Sequence, residues 1–201
     1  GDYYDFLTYP DGRLAVMVGD VCGKGMPAAL LMMGLQARVQ VLAAEPNPPA
    51  VVVDRLNRVL AAAVLNTRFI SFFFALLDPV SGELTYSNAG HNPPLLMRAN
   101  GTVEWLAQGG PVHGILPNAG YEEVRCDLNS GDVALLYSDG VTDVTNAQQE
   151  DFGEDRLSEV MQRVHHDSPA AILSALTTAL KDWAAGTPAR DDITLVVVRK
   201  T

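Results

Sequence analysis

Cysteine is nearly absent from this chain of 201 residues. Cys22 and Cys126 are too few for a disulfide framework or a cysteine-rich zinc site, and no C-x-x-C or H-E-x-x-H spacing occurs. Long apolar runs are also missing. Met26 to Ala37 is the best candidate; it holds Gly34 and Gln36 and falls short of the roughly 18 residues a membrane span needs. No basic-then-apolar leader opens the chain. Basic residues number 14 against 24 acidic ones, a net charge of −10. The footprint that nucleic acid or an anionic membrane requires is therefore lacking. What is present is a globular composition, 48% hydrophobic and 19% charged. The acidic balance suits a protein that collects divalent cations. With no repeat, low-complexity tract or long linker, residues 1–201 are expected to form a single domain. The chain opens at Gly1 inside a patterned stretch, so the expectation is a fragment of a longer cytoplasmic protein with regulatory residues upstream.

Periodicity gives the element order. Tyr3–Tyr9 and Arg13–Asp20 read as a hairpin closed by Pro10-Asp11-Gly12. Helices are predicted from Pro27 to about Ala44 and from Ala50 to Leu65, the second with Val53, Leu56, Leu60 and Val64 at helical spacing. Ile70–Leu77 is a continuous apolar run, the mark of a strand buried on both faces. Shorter strands follow at Glu83–Asn88, Pro94–Arg98, Val103–Leu106, Glu122–Asp127 and Asp132–Tyr137. Helices return at Glu154–Val164 and Pro169–Ala185, and Ile193–Arg199 is a last strand. Hairpin-length links imply mostly antiparallel pairing. The fold class is α+β (in the broad sense α/β): a sandwich of two mostly antiparallel sheets flanked by helix pairs.

Three turns place Asp at a strand end or beside Gly: Gly19-Asp20-Val21-Cys22-Gly23-Lys24-Gly25, Tyr137-Ser138-Asp139-Gly140 and Arg190-Asp191-Asp192-Ile193-Thr194. Any one alone is explained by turn chemistry. Three together, on strands able to enter one sheet layer, point further. Gathered carboxylates repel unless a cation neutralises them, and oxygen-only donors favour Mg²⁺ or Mn²⁺. Two such ions can activate a water for attack on a phosphoryl group.

Other motifs fail. Gly19 to Lys24 is one residue short of a P-loop, and Gly25 replaces the Ser or Thr. A cysteine-phosphatase loop needs an Arg soon after Cys22, and none precedes Arg38. His91 is read as a strand-end residue bonding a loop. His165-His166 is read as a solvated helix-end feature, and Leu30–Met33 as core.

Six segments, in order and spacing, carry a family resemblance: GDYYDF at Gly1, GDVCGKGMPAAL at Gly19, AGHNPPLL at Ala89, LLYSDGVTD at Leu135, FGEDRL at Phe152 and DDITLVVVR at Asp191. The chain resembles the metal-dependent serine/threonine protein phosphatase superfamily (protein phosphatase 2C-like), in its bacterial SpoIIE/RsbU branch. The resemblance implies a four-layer α-β-β-α sandwich with two ions, Mn²⁺ or Mg²⁺. It implies that Asp20 bridges the ions, that the Val21 carbonyl binds one, and that Asp139 and Asp191 hold a metal. It further implies that an acidic residue of the N-terminal motif, Asp2, binds or orients the second ion through water, with Asp5 as the competing choice. Two departures stand out. Cys22 occupies the position of a proposed general-acid His in eukaryotic relatives. No Arg precedes Arg13, so no phosphate-anchoring side chain is assigned.

The expected function is a phosphatase acting on phosphoserine or phosphothreonine of an anti-anti-sigma-type (STAS) protein. Its catalytic residues are Asp20, Asp139 and Asp191. An upstream sensor or receiver domain is the implied regulatory partner, and a second copy of the chain is a further candidate. Two other readings stay open: a catalytically inactive partner-binding module, and a two-metal hydrolase of nucleotides or small phosphate esters.

Overall fold

The computed structural model describes residues 1–63 and 68–201. In chain order the elements are β1 (Asp2–Thr8), β2 (Leu14–Val21), α1 (Met26–Leu42), α2 (Pro49–Ala63), β3 (Ile70–Leu77), β4 (Glu83–Ala89), β5 (Leu95–Met97), β6 (Val103–Trp105), β7 (Gly109–Gly110), β8 (Val124–Asp127), β9 (Val133–Tyr137), α3 (Asp139–Thr142), α4 (Gly153–Val164), α5 (Pro169–Ala184) and β10 (Leu195–Arg199). They are distributed over two compact units that interleave along the chain. One unit comprises 1–93 and 107–127, the other 94–106 and 128–201. The predicted end of the second helix, at Val64 and Leu65, lies outside the described residues.

In the first unit the sheet runs β1-β2-β3-β4-β7, with β8 also on β4. Every pairing is antiparallel except the two-residue contact of β4 with β7. One face of the sheet carries Ala15, Met17, Phe72, Phe74 and Leu76. It packs against Leu35 and Val39 of α1 and Val52, Val53, Leu56 and Leu60 of α2. Burying each of the Val, Leu, Met and Phe side chains contributes about 1.5–3 kcal/mol. Tyr9 ties the hairpin to the end of α1, its hydroxyl donating to the Ala43 carbonyl at 2.8 Å. All of β3 except Ser71 is buried, as its apolar run predicts.

One expectation needs correcting. Leu31 and Met32 lean on the core, but Leu30 and Met33 are 66% and 55% exposed. A helix apolar all round can bury only one stripe at a time, and the run Leu30–Met33 wraps past it.

The loop between β7 and β8 is pinned from two sides. The Asn57 amide nitrogen donates to the Leu116 carbonyl (2.8 Å), and its oxygen accepts from the Gly114 amide (3.2 Å). His113 exchanges backbone hydrogen bonds with Ile70. Its ring is fully buried beside Phe72 and Tyr121, and burial pushes its pKa from 6.5 down to about 3. Below pH 6.5 the unfolded chain takes up a proton that the folded state refuses. Stability from this residue is therefore complete above pH 6.5 and is lost as pH falls, by about 1.4 kcal/mol per unit. We expect the wild type to lose about 2 kcal/mol more than His113→Asn between pH 7 and pH 5. Urea midpoints at both pH values measure this, and equal losses would disprove it.

The second unit repeats the plan with other parts. Its sheet order is β10-β9-β5-β6, all antiparallel. Leu95, Met97, Val133, Leu135 and Tyr137 face Leu157 and Met161 of α4 and Ile172, Leu176 and Leu180 of α5. Ser168 caps α5, its hydroxyl accepting from the Ala171 amide, with Pro169 following. His165 is not the solvated residue expected. It is 5% exposed, hydrogen-bonds the Gln162 carbonyl through Nδ1 and stacks on His166. The two mostly antiparallel sheets, each with its helix pair, are the parts the sequence predicts.

Candidate functional site

In the first unit the acidic residues meet at the open end of the β1–β2 hairpin. The register sets Asp2 directly opposite Asp20. Strand alternation then places both on one face of the sheet and Tyr3, Asp5 and Gly19 on the other. Like charges facing across a strand pair destabilise it, and a bound cation removes that cost. Gly1 lies over the same spot. A Cβ built there would stand 2.7 Å from the Val21 carbonyl oxygen and 3.2 Å from Asp20 Oδ1. The Val21 carbonyl and the Asp20 carboxylate therefore approach a common point, with Asp2 next to it. These are hard oxygen donors of the kind Mg²⁺ and Mn²⁺ take.

Asp5 is engaged elsewhere. It accepts the Tyr3 hydroxyl (3.0 Å) and the Gln40 amide of α1 (2.5 Å). Burial, followed by the Asp5 charge, pushes the Tyr3 pKa upward. Alternation along β1 thus sends Asp2 to the Asp20 face and Asp5 to the helix face.

Behind Asp20, Ser71 is its register partner on β3. The Ser71 hydroxyl pairs with His91 Nδ1 at 2.8 Å. The Asn88 side chain brackets His91, accepting from its amide (2.7 Å) and donating to its carbonyl (3.1 Å). This buried histidine bonds a strand and its own loop, as predicted from its place at a strand end. Cys22 is tied to the start of β3. Its amide donates to the Phe69 carbonyl, and its sulfur accepts the Phe69 amide, both at 3.1 Å. No arginine follows Cys22 at the spacing a cysteine-phosphatase loop needs, and the cysteine sulfur is held against a backbone donor. We expect Cys22→Ser to keep activity within about fivefold, since only about 1 kcal/mol of hydrogen bonding is altered. A loss of several orders of magnitude with the fold intact would refute this.

In the second unit the antiparallel pairing of Tyr137 with Leu195 brings the next two turns together. The Ser138 amide donates to the Thr194 carbonyl (3.2 Å), the Thr194 amide donates to Ser138 Oγ (3.0 Å), and Ser138 Oγ donates to the Asp192 carbonyl (3.4 Å). Gly140 lies against Asp191 and Asp192; a Cβ added to it would be 3.5 Å from the Asp191 Cβ and would collide with the Asp192 carbonyl oxygen. Asp139 opens α3, and its carbonyl accepts the Asp143 amide (2.9 Å) and the Thr142 hydroxyl (3.0 Å). The structure thus joins the Asp139 turn to the Asp191 turn.

Two local details differ from expectation. The last strand starts at Leu195, not Ile193. Asp191 consequently sits in a bend, and its Oδ1 accepts the Asp192 amide at 3.0 Å. Sequence reading also missed the short helix α3 and the partnership of Ser138 with residues 192–194. A serine directly before Asp139 was the available signal, because it is a preferred helix N-cap.

Within each unit, among the described residues, no three His, Cys, Asp or Glu side chains converge on one point. The carboxylates are distributed, Asp2 and Asp20 in the first unit, Asp139 and Asp191 in the second.

A family model described as Stage II sporulation protein E (SpoIIE) matches residues 10–201. Protein IcfG of Synechocystis is 30% identical over an alignment of 225 positions, which covers 98% of this chain and 35% of IcfG. Phosphoserine phosphatase RsbU of Bacillus subtilis is 34% identical over 144 positions, covering 71% of this chain and 43% of RsbU. The chain thus spans less than half the length of these relatives. The SiaA-PP2C domain of Pseudomonas aeruginosa superposes with a TM-score of 0.85 at 22% identity, over 98% of this chain and 80% of that one, a likeness of fold.

Proposed function

The chain belongs to the SpoIIE family, and from that premise we propose that it is a protein-serine/threonine phosphatase acting on a phosphorylated regulatory protein of the anti-anti-sigma type. The observation that carries the reading is the acidic set itself. Asp20 is near the end of β2 and faces Asp2 with the Val21 carbonyl beside it, Asp139 opens α3 directly after β9, and Asp191 sits in the bend before β10. In the first unit Asp20, the Val21 carbonyl and Asp2 would serve as ligands of divalent cations, Mn²⁺ or Mg²⁺, and in the second Asp139 and Asp191 would do so. Bound there, the cations supply Lewis acidity that activates water and neutralises charge on the phosphoryl oxygens.

The chain's own residues do the rest. The Asp2–Asp20 register sets two carboxylates on one sheet face, so neither has to be recruited from a mobile segment. Ser138 locks the Asp139 turn onto the 192–194 backbone, and Gly140 permits that approach. Such fixed geometry is what phosphoryl transfer needs, because a 1 Å error costs on the order of 100-fold. Cys22 spends its sulfur on the Phe69 amide and forms no covalent intermediate.

A cytoplasmic site of action and control by an upstream sensor or receiver domain belong to the same proposal. Among the described residues no helix is long and apolar enough to cross a membrane.

The decisive test is hydrolysis of a generic phosphate ester and of a phosphoserine peptide with Mn²⁺, with Mg²⁺ and with excess EDTA. Turnover restored by Mn²⁺ and abolished by EDTA is expected. Full activity in EDTA would refute the reading. Silence with every ion would leave an inactive partner-binding module.

A further inference from the structure

The loop that follows Asp20 has a cationic neighbour from a distant part of the sequence. The paired contacts of Cys22 with Phe69 lay the start of β3 along this loop and carry Arg68 beside Gly23. Gly23 has φ +100°, and a Cβ added there would stand 3.6 Å from Arg68 Nη1. That nitrogen is enclosed, yet among the described residues it has no hydrogen-bond partner. Buried donors in folded proteins are nearly always satisfied, and an exception marks a place where a ligand, ion or water supplies the acceptor. A guanidinium stays charged at all working pH values, and its planar donor fork matches phosphate oxygens. No arginine lies in the N-terminal strand, and none precedes Arg13. Arg68 reaches the loop after Asp20 from the segment just before β3.

We propose that Arg68 is the phosphate-binding side chain of this domain. Its Nη1 donates to a non-bridging oxygen of a phosphoryl group presented at the Asp20–Gly23 loop. The inference rests on the phosphatase reading above. It assigns to Arg68 the grip on the phosphorylated side chain and on the inorganic phosphate released, and none of the metal binding. It also accounts for an enclosed donor atom that has no partner among the described residues, an arrangement that costs stability and is retained where function requires it.

The test compares wild type, Arg68→Met and Arg68→Lys. Binding of inorganic phosphate in the presence of Mn²⁺ is followed by calorimetry, alongside KM and kcat for a phosphate ester. Arg68→Met should weaken phosphate binding and raise KM by about 10- to 100-fold, the worth of a charged hydrogen bond. Arg68→Lys should recover part of this loss. Mn²⁺ affinity should change by less than about twofold, and the melting temperature of Arg68→Met should not fall. Unchanged phosphate binding in Arg68→Met overturns the proposal. So does a lowered melting temperature with equal losses of Mn²⁺ and phosphate affinity, the pattern of a structural arginine. A wild type that binds phosphate through Arg68 but turns over no ester would refute the phosphatase reading and leave the anion site standing.

Discussion

Replacing Asp20 with Asn is expected to lower kcat/KM for phosphate-ester hydrolysis by on the order of 1,000-fold. The several kcal/mol that a bound cation contributes to a phosphoryl transition state sets this scale. A neutral amide is a poor ligand for a hard cation, and Asp20 shares its sheet face with Asp2 beside the Val21 carbonyl. The substitution keeps size and shape, and the β1–β2 ladder depends on backbone hydrogen bonds that it does not touch. The fold should therefore survive. A second readout separates loss of ligand from loss of fold: Mn²⁺ should raise the melting temperature of the wild type by mass action and should leave that of Asp20→Asn nearly unmoved. Wild-type rates in Asp20→Asn, or an undiminished Mn²⁺ shift, would remove Asp20 from the site.

Gly140→Ala is expected to cost about 100-fold in kcat and about 1–3 kcal/mol in stability. The added Cβ would collide with the Asp192 carbonyl oxygen, while meeting the Asp191 Cβ at ordinary contact distance. Backbone cannot rotate aside as a flexible side chain can, so the 191–194 segment must move away from the Asp139 turn. Ser138 would then lose its bonds to Asp192 and Thr194. The conformation of Gly140 itself is ordinary, and the need for glycine is one of space alone. Kinetics and thermal melting of Gly140→Ala measure both losses. A variant with wild-type kcat would show that the distance between the Asp139 and Asp191 turns is immaterial to catalysis.

Much of the fold was legible because its signals are local. The apolar and aromatic runs of the first two strands and the Pro10-Asp11-Gly12 turn predicted the first hairpin to within a residue or two, and the apolar run Ile70–Leu77 is β3. The unread parts lack a local signal. The two glycines of β7 carry no side chains from which to read a period, and their parallel pairing with Asn88 and Ala89 depends on a partner about twenty residues away. The exposure of Leu30 and Met33 was hidden because α1 is apolar on every side, so no stripe marks the face turned to the sheet. Asp191 and Asp192 were placed at the head of a strand that starts later, because Ile193 and Thr194 have strand-like side chains but sit before the ladder begins.

By itself the sequence determined which residues could serve as ligands. Asp20, Asp139 and Asp191 stand beside turn glycines or at strand ends, in six ordered segments that mark the family. Three aspartates at such places, with oxygen-only donors, made hard cations the natural partner. Tertiary structure decided which residues stand together. Antiparallel register put Asp2, not Asp5, on the face of Asp20; the β9–β10 ladder set Ser138 and Gly140 against residues 191–194; and the Cys22–Phe69 contacts carried Arg68 to Gly23. The reason is one of range. Periodicity and turn chemistry act over a few residues and leave their mark in the order of side chains. Register and close backbone approach join residues dozens of positions apart, and packing selects them only once the sheet has formed.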